Sequence, residues 1–294
     1  MSSTLSNARP SRVTTTRLAE LKAAGERIVM ITAYDAPGAR LADAAGVDSI
    51  LVGDSLGMTV LGYDSTLPVT MDDMVRATAA VSRGTSRALV VADLPFLSYQ
   101  VSVEDAVRNA GRLLAEGGAQ AVKLEGGSEV ADLVGILVDA GIPVVGHVGL
   151  TPQSVNVFGG YKTQGRSTEA ALDLVEDCRA LEAAGACAVV LELVPAELAE
   201  LVSEEIAIPT IGIGAGAGCD GQVQVFHDIL GLGTFTPKHA KRYAEVGSAI
   251  TKAVAAYAAD VRSAAFPGEA HFSHLDAEVV AELERLLPLT DGED

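Results

Sequence analysis

Residues 181–195 read LEAAGACAVVLELVP, and this stretch contains the unit that decides the fold. Gly185 follows an alanine-rich helical pattern, at the place where a helix end favours a residue with left-handed backbone angles. The apolar run Ala188–Leu193 is too short for a helix and has the length of a buried strand. Glu192 stands near the end of that run, so the stretch predicts a helix, a turn, a buried strand and a charged strand end.

The same unit recurs along the chain and predicts a parallel α/β protein. Parallel strands connected by right-handed helical crossovers close naturally into a (β/α)8 TIM barrel of one domain when eight units are present. A doubly wound open sheet is the alternative, but it would place a glycine-rich turn after the first strand, where this chain has none. The predicted strands are Ile28–Thr32, Ser49–Val52, Leu89–Ala92, Ala121–Leu124, Val144–Val148, Ala188–Leu193, Thr210–Ile213 and Gln222–Phe226.

Composition agrees with one large catalytic domain. The chain has 294 residues, of which 49% are hydrophobic and only 4% aromatic, so the core must be aliphatic. We predict a flexible N-terminal arm over residues 1–17, the barrel over 18–266 and a helical, acidic tail over 267–294.

The charge excludes several classes of partner. A net charge of −18 repels phosphate backbones and anionic lipids, so we expect neither nucleic acid nor membrane surfaces as partners. No apolar stretch is long enough to cross a bilayer, and the polar N-terminus lacks the apolar core of a secretory signal. The three cysteines form no CxxC pair and suit a reducing compartment, so we expect a cytoplasmic protein.

Acidic side chains stand at the ends of three neighbouring predicted strands: Asp54, Asp93 and Glu125. In a barrel these carboxyl ends form the active-site rim, and adjacent strands are about 4.8 Å apart. Carboxylates this close call for a hard divalent cation, and an all-oxygen ligand set favours Mg²⁺. Capping of helix starts explains one such acid well and all three poorly.

A metal at this rim would chelate a 2-oxo acid and stabilise the enolate that forms when the adjacent carbon loses a proton. The reaction needs a base on the other side of the substrate. Glu192 is our candidate, since apolar neighbours would raise its pKa towards neutrality.

Other polar positions keep more than one interpretation. Lys123 could form a Schiff base, act as a fixed cation for the substrate, or serve as a counter-ion to Asp93 or Glu125; the carboxylates favour the fixed cation. His147 could bind substrate or satisfy backbone carbonyls. Gly212–Gly216 fits a phosphate loop or a tightly packed turn equally well. Residues 158–166 are typical of a mobile loop over the mouth.

A collinear set of motifs between about Thr16 and Phe266 resembles the ketopantoate hydroxymethyltransferase family. The set includes Val52-Gly53-Asp54-Ser55-Leu56-Gly57, Asp93-Leu94-Pro95-Phe96, Val122-Lys123-Leu124-Glu125-Gly126-Gly127 and Gly146-His147-Val148-Gly149-Leu150-Thr151-Pro152-Gln153. The resemblance implies a barrel of the phosphoenolpyruvate/pyruvate-binding type. It further implies transfer of a one-carbon unit from 5,10-methylenetetrahydrofolate to 3-methyl-2-oxobutanoate, giving 2-dehydropantoate for pantothenate biosynthesis.

The resemblance also implies residue roles and an assembly. Asp54, Asp93 and Glu125 would hold Mg²⁺, and Asp54, Ser55, Asp93 and Lys123 would bind the 2-oxo acid. Glu192 would be the proton acceptor. Related proteins form rings of ten subunits, so a homo-oligomer, a decamer, is expected.

Two other functions compete with this one. A lyase or mutase of the same barrel superfamily would also use Mg²⁺ and a 2-oxo acid enolate, although the chain lacks the Lys-x-x-Cys-Gly run of the isocitrate lyase type. A catalytically silent barrel that binds a 2-oxo acid is the alternative from a different class, and the intact set of metal ligands and base argues against it.

Overall fold

A computed structural model of the chain describes residues 12–233 and 235–287. Its eight strands form a closed parallel barrel in chain order, and the last strand pairs with the first. The strands are β1 (Ile28–Thr32), β2 (Ser49–Val52), β3 (Leu89–Asp93), β4 (Ala121–Lys123), β5 (Val144–Gly149), β6 (Ala188–Glu192), β7 (Thr210–Ile213) and β8 (Gly221–Gln224). The predicted (β/α)8 barrel is confirmed.

Helices surround this barrel, and local sequence signals fix several of their starts. Thr70 and Asp73 form a reciprocal capping box at the start of α4, and Ser102 caps α5 through the Asp105 N–H. The helices are α1 (Thr15–Ala23), α2 (Ala36–Ala44), α3 (Leu56–Thr59), α4 (Met71–Gly84), α5 (Val103–Ala115), α6 (Ala131–Asp139), α7 (Val155–Phe158), α8 (Thr168–Ala183), α9 (Ala196–Glu205), α10 (Phe226–Ile229), α11 (Val246–Arg262) and α12 (Ala277–Leu286).

The core has two layers, because successive side chains of a strand point to opposite faces. On β6, Val189 and Leu191 pack outwards against the helices, whereas Ala188 and Val190 fill the barrel interior. The interior contains aliphatic side chains from all around the ring, so the barrel is a packed core that is open to chemistry only at its ends.

The connection from β7 to β8 differs from the other crossovers. The described chain crosses from Ile213 to Gly221 through a loop without a helix. On the neighbouring part of the ring, Val29 of β1 is 50% exposed, and Gln222 of β8 is also exposed. The outer face of the β8–β1 seam is therefore less covered than the rest of the barrel.

Two compact units divide the chain, with the boundary between Ala244 and Glu245. The second unit contains α11, a short 3-10 helix at Glu269–His271 and α12, and none of these elements buries a side chain. This boundary lies earlier than the predicted one at residue 266. At the other end, α1 begins at Thr15, capped by Thr14, and Val13 is buried, so part of the predicted arm packs on the barrel; residues 1–11 lie outside the described residues.

Within the described residues, no helix combines the length and the apolar character needed to span a bilayer.

Candidate active site

Strand parity places four of the predicted side chains inside the barrel mouth. Leu89 and Val91 of β3, Ala121 of β4, Val145 of β5 and Val190 of β6 all belong to the interior layer. Counting two residues on from the last interior position of each strand gives Asp93, Lys123, His147 and Glu192. Because side chains alternate along a strand, all four point inwards at the same end of the barrel.

The first pair of acids is joined directly. Asp54, just after β2, donates its backbone N–H to Asp93 Oδ2 over 3.0 Å. Asp54 and Asp93 are 4% and 3% exposed, so both carboxylates are buried. Two of the predicted metal ligands therefore lie side by side.

Ser55 lies at the same corner of the mouth. Its Oγ is 2.8 Å from the hydroxyl of Tyr34, which the chain brings in after β1. A Cβ at Gly53 would approach Ser55 Oγ to 2.7 Å, so only glycine leaves the hydroxyl in this place. The predicted substrate-binding serine thus has a fixed orientation next to the acids.

Lys123 and His147 continue the polar chain across β4 and β5. Lys123 Nζ lies 3.1 Å from Asp93 Oδ1 and 3.1 Å from His147 Nδ1. Burial lowers the pKa of Lys123, but the carboxylates of Asp93, Glu125 and Asp54 outweigh it, so the pKa is raised and the amine stays protonated. A protonated amine is no nucleophile, which argues against the Schiff-base interpretation.

The tautomer of His147 follows from this contact. Burial and then the Lys123 ammonium lower the pKa of His147 well below its ordinary range, so the imidazole is neutral. An ammonium group only donates, so Nδ1 accepts and Nε2 carries the hydrogen. Nε2 is buried, lies 3.3 Å from Glu192 Oε2 and forms no well-aligned hydrogen bond to a described residue.

Glu192 completes the chain at the end of β6, opposite the acids. Its side chain is only 17% exposed, and burial raises its pKa to about 7. Its backbone is held tightly: the carbonyl accepts from Leu150 N at 2.8 Å, and at Gly149, with φ +91°, any Cβ would collide with that carbonyl. Leu193 follows with φ +46°, a left-handed conformation that costs energy for a branched side chain.

The mouth has too little positive charge for its acids. Asp54, Asp93 and Glu125 are buried, whereas Lys123 is the only lysine or arginine buried among the described residues and His147 is neutral. Burial, and then Asp93, raise the pKa of Asp54 to about 7, and burial followed by Asp54 raises the pKa of Glu125. A divalent cation would relieve this repulsion, so the donor set fits one chemically.

The acids do not form a complete metal cage. No three His, Cys, Asp or Glu side chains in the described part of the chain are gathered into a ready-made metal-binding group. Mg²⁺ is commonly held by only one or two carboxylates and fills its other positions with water or substrate oxygens. The open geometry is therefore compatible with Mg²⁺ and unlike a structural site for zinc.

Sequence reasoning missed two features of the mouth. Gln153, in the 3-10 turn after β5, donates to Asp54 Oδ2 over 2.9 Å; it has a place in the Gly146–Gln153 motif, but the motif assigned it no role. Tyr161, in the predicted loop over the mouth, places its hydroxyl 3.8 Å from Met58 Sδ, and burial and then Glu192 raise its pKa. The contact brings Tyr161 next to Met58 near the mouth, and both the cover over the mouth and the mobility of the loop stay predictions.

Comparison with known proteins places these residues in a family context. The sequence model described as ketopantoate hydroxymethyltransferase matches residues 12–269. A 3-methyl-2-oxobutanoate hydroxymethyltransferase of Dehalococcoides mccartyi (strain CBDB1) is 57% identical over 275 residues, covering 93% of this chain and 99% of the relative. The enzyme of that name from Carboxydothermus hydrogenoformans is 57% identical over 276 residues, with coverage of 94% and 99%.

Solved structures share the fold at much lower identity. A 2,3-dimethylmalate lyase, described as a PEP mutase/isocitrate lyase superfamily member, superposes with a TM-score of 0.57 and 19% identity. The match covers 94% of this chain and 96% of that one. At this identity the likeness concerns the fold alone, and it agrees with the closed (β/α)8 barrel.

Proposed function

The chain belongs to the ketopantoate hydroxymethyltransferase family, and from that premise we propose how its barrel mouth carries out the reaction. The enzyme transfers a hydroxymethyl group to 3-methyl-2-oxobutanoate, the activity for which its relatives are named. In our proposal, buried acids hold Mg²⁺ and Glu192 removes the C3 proton. The observation that carries the proposal is the excess of buried negative charge facing a base whose pKa is about 7.

Asp54, Asp93 and Glu125 would hold the metal. The mutual repulsion of the buried Asp54 and Glu125 carboxylates supports this role. Asp93 Oδ1 is also buried, and its partner is the Lys123 ammonium at 3.1 Å, so it faces the same mouth. Bound there, Mg²⁺ would act as a Lewis acid that polarises the keto group of the substrate.

The 2-oxo acid would be oriented by groups at one corner of the mouth. Ser55 Oγ and the backbone around Asp54 can bond to carboxylate oxygens, and the Lys123 ammonium supplies a fixed positive charge 3.1 Å from Asp93. The planar carboxylate and keto oxygens would then lie on the β2–β4 side. This orientation turns C3 towards β6.

Glu192 would accept the C3 proton. The nearly neutral pKa balances two needs, because the group must be ionised before the step and basic enough to take the proton. His147 Nε2–H, 3.3 Å from Glu192 Oε2, can hold the carboxylate or a substrate oxygen in place. The electron pair left on C3 then forms the new carbon–carbon bond to the methylene carbon of the donor. Both C–N bonds of that methylene break, water supplies the hydroxyl group, and the two released nitrogens take up the C3 proton and the remaining proton of the water.

The proposed one-carbon donor is 5,10-methylenetetrahydrofolate, and the product is 2-dehydropantoate. Family membership supports this donor. The loop that carries Tyr161 across the mouth is anchored by Gln164 N, which donates to the Leu193 carbonyl over 3.0 Å. A loop in this position can shield the enolate from bulk solvent while admitting the single water that the hydroxyl group requires.

The deciding experiment follows the C3 proton of 3-methyl-2-oxobutanoate by NMR in D₂O. We expect loss of the proton signal with enzyme and Mg²⁺ and no loss when a chelator is present. Enzyme that cannot exchange the proton with Mg²⁺ present would contradict the proposed chemistry. Proton exchange without turnover of 5,10-methylenetetrahydrofolate would contradict only the proposed one-carbon donor and would leave the proposed proton transfer intact.

Asp93→Asn tests the metal ligands. Asparagine keeps an oxygen that can accept from Asp54 N but loses the negative charge, so Mg²⁺ should bind about tenfold or more weakly in calorimetry. Asp139→Asn, on the exposed end of α6, serves as the control. Unchanged affinity in Asp93→Asn would exclude Asp93 as a ligand.

The rate of C3 exchange should rise with pH through about 7. Burial raises the pKa of Glu192, so below this value the base is protonated and inactive, and above it the base is ionised. The profile must be measured at saturating Mg²⁺, because the pKa of Asp54 is also raised to about 7 and protons compete with the metal. A rate that is flat between pH 5.5 and 8.5 would assign the proton transfer to another group.

We also propose a cytoplasmic homo-oligomer, a decamer. The free cysteines support a reducing compartment. Exposed apolar side chains such as Tyr257, Val279 and Leu283 support subunit contacts through the second unit. Light scattering of the purified protein measures the subunit number directly, and a monomeric mass would contradict the proposed assembly.

A further inference from the structure

Gln153 binds both of the outer acids in the proposed metal site. Its side chain is buried, with 6% of the residue exposed, and its Nε2 donates to Asp54 Oδ2 over 2.9 Å and to the Leu94 carbonyl over 3.0 Å. Its backbone N–H donates to Glu125 Oε2 over 2.9 Å. Gln153 alone, in the turn after β5, therefore connects the Asp54 carboxylate, which follows β2, with the Glu125 carboxylate, which follows β4.

The other end of the amide is fixed as well. Oε1 lies 3.0 Å from the Tyr99 hydroxyl and accepts from Gln100 Nε2 over 3.2 Å. The Tyr99 hydroxyl accepts from Glu125 N over 3.1 Å and also lies 3.0 Å from the Glu125 carbonyl. The network therefore holds Glu125 at its side chain and at its backbone.

Only one orientation of this amide is possible. If the amide were rotated by 180°, Oε1 would face Asp54 Oδ2 and the Leu94 carbonyl, both of which are acceptors, and Nε2 would face the donor of Gln100. Both N–H groups of Gln153 are thus committed, and one of them always points at Asp54. A neutral donor can aim a carboxylate in this way without neutralising its charge.

We propose that Gln153 is a positioning residue that sets the orientation of Asp54 and Glu125 for a divalent cation. The inference rests on the proposed function of these acids as magnesium ligands. Groups that orient metal ligands commonly contribute 10- to 100-fold to metal affinity. Gln153 would act through the two carboxylates and would not touch the reacting atoms.

Gln153→Met tests the role, because methionine has similar length and volume but neither donates to Asp54 nor accepts from Tyr99. Calorimetry should show Mg²⁺ affinity reduced about 10- to 100-fold. At saturating Mg²⁺ most of the wild-type rate should return, since a high metal concentration compensates for badly aimed ligands. A general packing defect would not be rescued by metal. Unchanged Mg²⁺ affinity, or a rate that metal cannot restore, would overturn the proposal.

Gln100→Met is the matched control. Gln100 donates to Gln153 Oε1 and, in the described structure, bonds to neither carboxylate, so the same replacement should leave Mg²⁺ affinity close to wild type. Loss equal to that of Gln153→Met would show that the network, and not the bond to Asp54, sets the affinity, and would overturn the proposal.

Tyr99→Phe keeps the test decisive if Gln153→Met does not fold. It removes the hydroxyl that holds Oε1 and the Glu125 backbone while Gln153 remains, so Mg²⁺ affinity should fall by a smaller factor; unchanged affinity would count against the proposal. Wild-type protein that binds no Mg²⁺ would instead contradict the proposed function, so the two failures are distinguishable.

Discussion

Glu192→Gln should lower the rate of C3 proton exchange by about 10²- to 10⁴-fold while the protein still binds Mg²⁺ and 3-methyl-2-oxobutanoate. Glutamine fills the same volume but cannot accept the proton. The acids proposed to hold the metal lie on the opposite side of the mouth, and the Lys123 ammonium pairs with Asp93 while it also acts electrostatically on Glu192. NMR exchange measures the lost step, and calorimetry measures the retained binding.

The control for this variant is Glu197→Gln. Glu197 lies on α9, only five residues further along, and is exposed, so the same change of charge should leave exchange near wild type. Substantial exchange by Glu192→Gln would assign the base to another residue.

Lys123→Met should raise the KM for the 2-oxo acid by about 30-fold or more, because the substrate carboxylate would lose its buried ammonium partner, and losing one partner of such a pair costs roughly 2–5 kcal/mol of binding. Mg²⁺ affinity should stay the same or increase, since the ammonium 3.1 Å from Asp93 no longer repels the metal. Weaker binding of the 2-oxo acid together with unchanged or tighter binding of Mg²⁺ would identify Lys123 as a fixed cation for the substrate. A mere counter-ion would be replaced by Mg²⁺, and the KM at saturating metal would then be unchanged.

Lys22→Met is the matched control for the loss of a partly buried lysine. Lys22 pairs with Asp220 over 2.9 Å at the amino ends of the strands, with a side chain 14% exposed. Its removal should lower stability without changing the KM. Borohydride trapping of substrate on wild-type Lys123 would favour the Schiff-base interpretation instead.

The strand ends were predictable because two simple regularities coincide in this chain. Short aliphatic runs identify the strands, and the inward or outward direction of each residue follows from its position in the run. Glu192 could be assigned to the mouth from the sequence because it follows Ala188 and Val190 at even spacing. The same reasoning applies to Asp93 and Lys123.

The neutral parts of the site could not be predicted in this way. Gln153 has no charge, lies outside any strand and depends on contacts with Tyr99 and Gln100, which lie on another loop. The role of His147 was ambiguous because its tautomer depends on Lys123 Nζ, which lies 3.1 Å away on the neighbouring strand. The sequence alone does not give this distance. The barrel limit at residue 266 stays a prediction, although α11, which precedes it, groups with the second unit and buries none of its side chains.

The seam between β8 and β1 has a consequence for how the enzyme fluctuates. Ring closure there joins segments from opposite ends of the barrel sequence, beside the helix-free loop and an exposed outer face. Local opening favours regions with few buried contacts, so transient breathing should begin beside this seam, at β7–β8, where the helix-free loop joins two strands that are in register at only two residue pairs. All the charged groups of the mouth follow the consecutive strands β2–β6, whose pairing does not involve the seam. The barrel can therefore loosen at one edge while its charged half keeps its shape.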